Sequence, residues 1–547
     1  MHILSQTSHI RRLLAALTLL PLLCACYDYS MSDLVSSPSP VDTPQIATAN
    51  QYINLSIGVS AGNEGTTRAD EKPAGGEDGD GQEAGFEREN EVTGVTLMLY
   101  AVEKKEDNTT TYKGINDIKD ETLAFIQYYP VDLVKRENQG IPNEIEPVYT
   151  TGDQSLGGSD LDLAKTYRAI VVANLDLTSK FSVRDRMVNV RDYCVGESPQ
   201  LIYQGSSIGA TASDFVMSLE SDVNTIISFQ EPTSKTTSAN GQTIEKYEFD
   251  NIRIERLAAR IDFWTKGAVY EPWQDNDSKT PGYKYTVKQE DGSNSGDYFV
   301  LTAVMPFNLY DGNEYLFKRI GHNTKKDYLA SENGMEDTEV VLDPNTLSKT
   351  EIPTKDDEVS KPNYMENSCW LNNIIDKELI DLSSTPYMTM LSVQEAEQWG
   401  NATFEYTDEG ERAHNIIVGY AKENTLPKDA LLYYYATGLR IEGDYYTKDK
   451  GEPEHLVYYG FLRHNGEGYG VNETSYSMWS KDDLKEYKDG KDNKLKNGFP
   501  MNFGVVRNNI YRISIDEIKK RGEEPPEMTW KIMVKNWDVF THKEITM

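Results

Sequence analysis

The residues of this chain that could carry chemistry are few, and their surroundings argue against most of it. Gly58-Val59-Ser60-Ala61-Gly62 spells the G-x-S-x-G elbow, which exposes a nucleophilic serine on a sharp strand-to-helix turn. Asn63-Glu64-Gly65-Thr66-Thr67 follows and starts no helix, so Ser60 reads as the glycine-weakened end of a strand. The seven histidines, His2, His9, His322, His414, His455, His464 and His542, show no H-E-x-x-H or paired ligand spacing. An EF-hand loop starting at Asp78 in Glu77-Asp78-Gly79-Asp80-Gly81-Gln82-Glu83 needs glycine at its sixth place, where Glu83 stands, so this stretch reads as a solvated loop. Carboxylate pairs of the kind that hydrolyse glycosides are present by number alone. No catalytic residue, metal site or cofactor is expected, and the chain is not read as an enzyme.

The chain has 547 residues, 38% of them hydrophobic, enough for more than one core. Its 88 Asp and Glu against 55 Lys and Arg give a net charge of -33. Phosphate contacts need clustered cations and none is present, so a nucleic-acid partner is excluded. The same charge opposes docking on anionic lipid. After residue 26 no apolar run approaches the roughly 18 residues of a membrane span.

Membrane contact must therefore come from the N-terminus. Arg11 and Arg12 precede an apolar run, Leu13 to Leu23, of signal-peptide length. It ends Leu23-Cys24-Ala25-Cys26, which resembles a bacterial lipobox. Cys26 is the expected lipid acceptor because Ala25 before it fits the peptidase, whereas Cys24 follows the bulky Leu23; the alternative is a secretory signal cut elsewhere. Only Cys194 and Cys369 would then remain, without C-x-x-C spacing, which excludes a disulfide scaffold or a cysteine metal site. Residues 27 to 50 are rich in Ser, Pro, Thr and Asp and read as a tether.

The elements that follow read as β. Ile53, Leu55, Ile57 and Val59 alternate with polar or small residues, the signature of a half-buried strand. Further strand patterns lie at residues 95 to 100, 167 to 172, 252 to 254, 298 to 304, 456 to 459 and 511 to 515. Asn372 to Leu382 and Val393 to Trp399 could form short helices. The alternation changes phase near Glu255-Arg256, which predicts a bulge or a sheet crossing, and a boundary between two β domains is placed near residue 265.

The two ends of the chain answer each other. Arg68 follows the first strand and precedes an acidic, glycine-rich stretch, residues 69 to 91, as an exposed site for a trypsin-like cut before Ala69 would. At the other end Met528, Trp530, Ile532 and Val534 alternate, and Trp537, Val539, Thr541, Ile545 and Met547 continue in the other phase. Pro525-Pro526 before them predicts a break that detaches this terminal strand. It could fill a groove in another molecule or pair as the last strand of its own domain.

Gly504-Val505-Val506-Arg507-Asn508-Asn509-Ile510-Tyr511-Arg512-Ile513-Ser514-Ile515, with a terminal strand pair containing Trp537, resembles the end of the fimbrillins, subunits of type V pili. Ile254 to Ile261 and Ala169 to Asn174 resemble two further strands of that family. Lys535-Asn536-Trp537 departs from it where members often carry Pro before the Trp. The resemblance implies an all-β protein: two transthyretin-like β-sandwich domains in tandem, with a removable first strand and a C-terminal donor strand. The segments would be signal (1–26), tether (27–50), propeptide strand (51–68), N-terminal sandwich (69–265), C-terminal sandwich (266–526) and donor (527–547). It implies an outer-membrane lipoprotein precursor, cut after Arg68 by an Arg-specific protease. The removable strand would carry Ile53, Leu55, Ile57 and Val59, and its groove would take a neighbour's Trp530, Ile532, Val534, Trp537 and Val539. The partners would be further copies and other pilus subunits, and the product a surface fimbrium supporting adhesion. Shaft is the expected position, since an anchor would lack the cut and a tip the donor. The competing reading is a glycan-binding surface lipoprotein using its 34 Tyr and 7 Trp as stacking platforms.

Overall fold

Alternating and continuous apolar runs both become strands, and burial tells them apart. In the computed structural model the described residues are 44–59, 82–102, 121–137, 144–196, 215–219, 225–271, 282–310, 312–322, 339–344, 402–406, 412–425, 436–449, 452–464, 476–480, 483–484, 504–522, 524–538 and 542–543. Among them helix is confined to Met187–Arg191, a 3-10 turn at Glu87–Asn90 and the two residues Asp483 and Leu484. The chain is all-β. The predicted helices near 372–382 and 393–399 lie outside the described residues, as do Cys26, Ser60, Arg68, Ala69, Cys369 and Val539. Strands Gly94–Ala101 and Thr166–Ala173 are buried along nearly their whole length, which is why they read as unbroken apolar text.

Two large sheets hold most of the described strands. One is ordered His542–Lys543, Glu144–Thr150, Gln51–Val59, Thr243–Arg256, Met217–Leu219, Thr166–Ala173, Gly94–Ala101 and Thr122–Pro130. The other runs Ala402–Tyr406, Arg412–Ala421, Ala259–Trp264, Asn509–Arg521, Gly282–Lys288, Asn294–Phe307, Gly438–Tyr446 and Glu454–Phe461, with Glu524–Asp538 beside Asn509–Arg521. The chain passes from the first sheet to the second at Leu257-Ala258, between Thr243–Arg256 and Ala259–Trp264. This is where the alternation changes phase.

The crossing is held by charged groups that are fully buried. The Arg260 guanidinium forks onto Asp262, with both bonds 2.9 Å long, and donates to Glu89 Oε2 at 3.0 Å. Asn415 and Tyr420 donate to the same two acids, Asn415 to Asp262 at 2.8 Å. Arg256 donates to the Glu89 carbonyl (3.1 Å), to Asn508 Oδ1 (2.8 Å) and to Asn90. Asn508 donates its backbone N–H to the Ala258 carbonyl at 2.8 Å and has φ +56°, a conformation that Asn tolerates better than most residues. The segments around 254–261 and 504–515 are thus two halves of one clasp.

A second buried group lies beside it. Arg507 pairs with Glu423 at 2.7 Å and donates to the Tyr315 and Leu316 carbonyls, while Glu314 Oε1 accepts the Glu423 N–H at 2.9 Å. Burial pushes the Glu314 carboxyl from 4.5 up to about 7, and Arg507 offsets only part of this. Between those two values the folded chain holds a proton that the unfolded chain has lost. Stability therefore falls as pH rises through that window, by on the order of 3 kcal/mol. Glu314→Gln keeps the accepting oxygen and should remove this contribution. Urea midpoints of the two proteins should diverge in the variant's favour from pH 5 to 7.5; parallel profiles would refute the assignment.

Candidate functional site

The first strand, Gln51–Val59, lies inside its sheet rather than at an edge. On one side it runs parallel to Thr243–Arg256, from Gln51 opposite Glu245 to Val59 opposite Ile254, with an irregularity between Leu55 and Ile57. On the other side it is antiparallel to two pieces: Tyr52 and Ile53 face Ser155 and Gln154, and Ser56 and Ile57 face Thr150 and Tyr149. Ile53, Leu55, Ile57 and Val59 are each 0% exposed, so the predicted apolar face is the buried one.

Main-chain bonds continue upstream of the strand. Gln45 to Asn50, expected as the end of the tether, are fixed instead: Ala47 donates to the Leu161 carbonyl (2.9 Å), Leu163 to that of Gln45 (2.8 Å) and Glu245 to that of Asn50 (3.0 Å). Inside the strand Leu55 N donates to Thr151 Oγ1 at 3.0 Å, and Thr151 N returns a bond to the Leu55 carbonyl at 3.2 Å. Gln51 Nε2 donates to Glu245 Oε2 at 3.0 Å, and this bond, with Lys235, holds the Glu245 carboxyl below its ordinary range. A strand seated this way is flanked on both sides by strands of the same chain that pair with it. Lifting it out would leave a slot with two unpaired edges and an apolar floor, the geometry that takes up an added strand.

The C-terminal residues are placed differently from the first expectation. Glu524–Asp538 is one strand, antiparallel to Asn509–Arg521 of the same chain, with Ile515 opposite Trp530, Ile513 opposite Ile532 and Tyr511 opposite Val534. Trp530, Ile532 and Val534 are buried in that sheet. The prolines do not detach it. Arg521 pairs with Glu524 and Lys519 with Glu527, so Pro525 and Pro526 together face the single residue Lys520. Prolines in such a bulge break no ladder, and Gly522, at φ +53°, makes the turn. Asn536 to Asp538 also pair in parallel with Gln82 to Ala84. The backbone of Trp537 lies in this ladder.

Among the described residues many of the aromatic side chains are buried. Tyr100, Tyr129, Tyr167, Tyr283, Tyr285, Tyr420, Tyr458 and Tyr511 are all in the core. The large apolar side chains that stand exposed among the described residues are Ile46, Leu133, Val134, Val183 and Val269, none of them aromatic. Cys194 is half-buried, and burial pushes its thiol up.

The clasp of Arg256, Arg260, Glu89 and Asn508 was not foreseen. Its signal was present as charged residues, Glu255, Arg256, Arg260 and Asp262, inside otherwise apolar strand text.

No protein-family profile matches this chain, and no curated protein matches it. Among solved structures it is similar to a fimbrial assembly protein from Parabacteroides distasonis, at 10% identity over 89% of this chain and 95% of that one, with a TM-score of 0.29. It is also similar to a proposed cell adhesion protein from Bacteroides eggerthii, at 9% identity over 90% of this chain and 97% of that one, with a TM-score of 0.31. At this level of likeness neither structure carries a role over to this chain.

Proposed function

We propose that the chain is a structural subunit of a surface fimbrium, of the shaft, exported as a lipoprotein on Cys26 and assembled by strand exchange. A trypsin-like protease cuts after Arg68, the first strand leaves, and the C-terminal segment of another copy takes its place. The observation that carries this reading is the seat of Gln51–Val59, an interior strand supplied by the chain's N-terminal end and paired on both edges. While it is attached, its effective concentration at its own slot exceeds that of any incoming chain. Its four apolar side chains contribute about 6 to 12 kcal/mol gross, at roughly 1.5 to 3 kcal/mol each, which keeps the slot closed. Cutting the connection leaves those contacts in place but makes loss of the strand a true dissociation.

Trp530, Ile532 and Val534 root the donor in its own second sheet, while Lys535 to Asp538, Trp537 among them, leave their pairing with residues 509–510 and 82–84 and, with Val539, reach the neighbour. Such a contact is head-to-tail and does not close on itself, so it builds a filament. The processed chain keeps 52 Lys and Arg against 84 Asp and Glu, a net -32, so subunits repel at long range and salt should speed the joining.

The test uses the chain without its first 26 residues, followed by size exclusion and N-terminal sequencing during limited trypsin digestion. A ladder of oligomers whose members begin at Ala69 is expected, and it should vanish in Arg68→Ala and in a chain ending at Val534, which keeps the buried part of the last strand. If fibres form without residues 535 to 547, or if the first strand stays in the assembled material, the proposal fails.

A further inference from the structure

Strand Glu144–Thr150 has two edges, and their occupants are unequal. Asp132–Glu137 covers one edge along its length, with Leu133 opposite Tyr149 and Glu137 opposite Ile145. Tyr149 also pairs with Ile57, so the first strand lies on the other edge. Ile145 also pairs with His542, and Glu144 with Lys543. Since Glu137 already takes the far side of Ile145, the C-terminal residues lie on the same edge as the first strand. Both segments are antiparallel to Glu144–Thr150, so they run in the same direction, end to end. Ile57 stands opposite Tyr149, which puts Val59 at the level of Pro147. Ile145 is therefore two places beyond the end of the first strand. The chain's own tail is seated in line with the plug, on the next stretch of the same ladder.

We propose that this stretch, the backbone of Glu144 and Ile145 on the edge shared with the first strand, is the seed on which an incoming C-terminal segment of a second copy first pairs, in place of this copy's own tail. The invader then displaces the first strand from its Val59 end toward Gln51. The inference rests on the strand-exchange reading and adds where exchange starts and in which direction it runs. The occupant is a second copy's residues around His542-Lys543, because the same two residues of this copy already show that they pair there, in the orientation the slot requires. Strand displacement from a seed is fast because each new ladder bond replaces one being lost, whereas invasion without a seed must wait for the resident strand to open. The seed also accounts for the order of events. An incoming tail can replace the chain's own tail at the seed before the cut, but the covalently attached plug beyond it returns to its slot as fast as it is displaced.

The test compares two chains lacking the first 26 residues after a single cut at Arg68: the natural sequence, and His542→Pro with Lys543→Pro. The double variant keeps the length and the apolar residues of the tail but cannot donate ladder bonds at the seed. Release of the plug fragment is timed by size exclusion, and pulsed hydrogen exchange follows the amides of the first strand. In the natural chain Ile57 to Val59 should lose protection before Gln51 and Tyr52. The variant should release its plug about tenfold more slowly or worse. A synthetic peptide of residues 527–547 should restore the rate. Release rates within about twofold of each other, a peptide without effect, or opening from the Gln51 end overturn the seed while leaving strand exchange standing. Absence of release from both chains overturns both.

Discussion

Arg260→Met should lower the stability of the folded chain by about 3 to 5 kcal/mol, because it leaves two buried carboxylates without their cation. Arg260, Asp262 and Glu89 are at most 2% exposed. With the guanidinium gone, Asp262 keeps Asn415, and Glu89 keeps Tyr420 and the Phe86 N–H, which donates at 2.7 Å, but the net negative charge of the pair is no longer balanced. The informative comparison is a triple variant, Arg260→Met with Asp262→Leu and Glu89→Leu, which removes all three charges together. Burying apolar groups of similar volume avoids the desolvation cost, so the triple variant should recover most of the loss. Urea denaturation of the three proteins at pH 7 measures this. A single variant within 1 kcal/mol of the parent would mean that the clasp is not the main bond at the sheet crossing. Were the proposed cut after Arg68 made, Glu89 and Asn90 would keep the new N-terminal end fastened to the body through Arg260 and Arg256.

Trp530→Ala should cost the isolated subunit about 3 to 5 kcal/mol. The indole is 1% exposed and lies so close to Gly460 that a β-carbon there would stand 2.1 Å from a ring atom. Only glycine at 460 leaves room for it, and removing the ring leaves a cavity that the flat strands on both sides cannot close. This prediction separates two roles. If Trp530 roots the tail in its own sheet, the monomer loses stability, and plug release after the cut at Arg68 is little affected. If Trp530 acted only inside a neighbour, monomer unfolding would be unchanged and the oligomer ladder alone would weaken. Thermal unfolding of the uncut monomer, set beside the oligomer ladder of the cut protein, distinguishes them.

Much of the first sheet was legible from local pattern. The alternation from Ile53 to Val59 identified both the strand and its buried face, since side chains on a strand point alternately to its two sides. The change of phase after Arg256 marked the passage between sheets. The tail was legible as strand but not as partner. Pro525-Pro526 read as a break because a proline lacks the N–H a ladder needs, yet two prolines opposite one residue form a bulge in which no such donor is required. Whether a proline ends a strand or sits in a bulge depends on the register of the facing strand, which the prolines themselves do not encode.

By itself the sequence determined that the chain would be all-β, which side chains of the first strand would turn inward, and that the two ends carry apolar strand segments. These are properties of neighbouring residues and of the two-residue repeat of extended backbone. The tertiary structure alone decided that Gln51–Val59 lies parallel to residues 243–256, and that Arg256 meets Asn508 across more than 250 positions. It also decided that His542 lies in line with Val59 on one edge of one strand. Such choices are settled by which distant edges and buried charges can satisfy one another, and no local period carries that information.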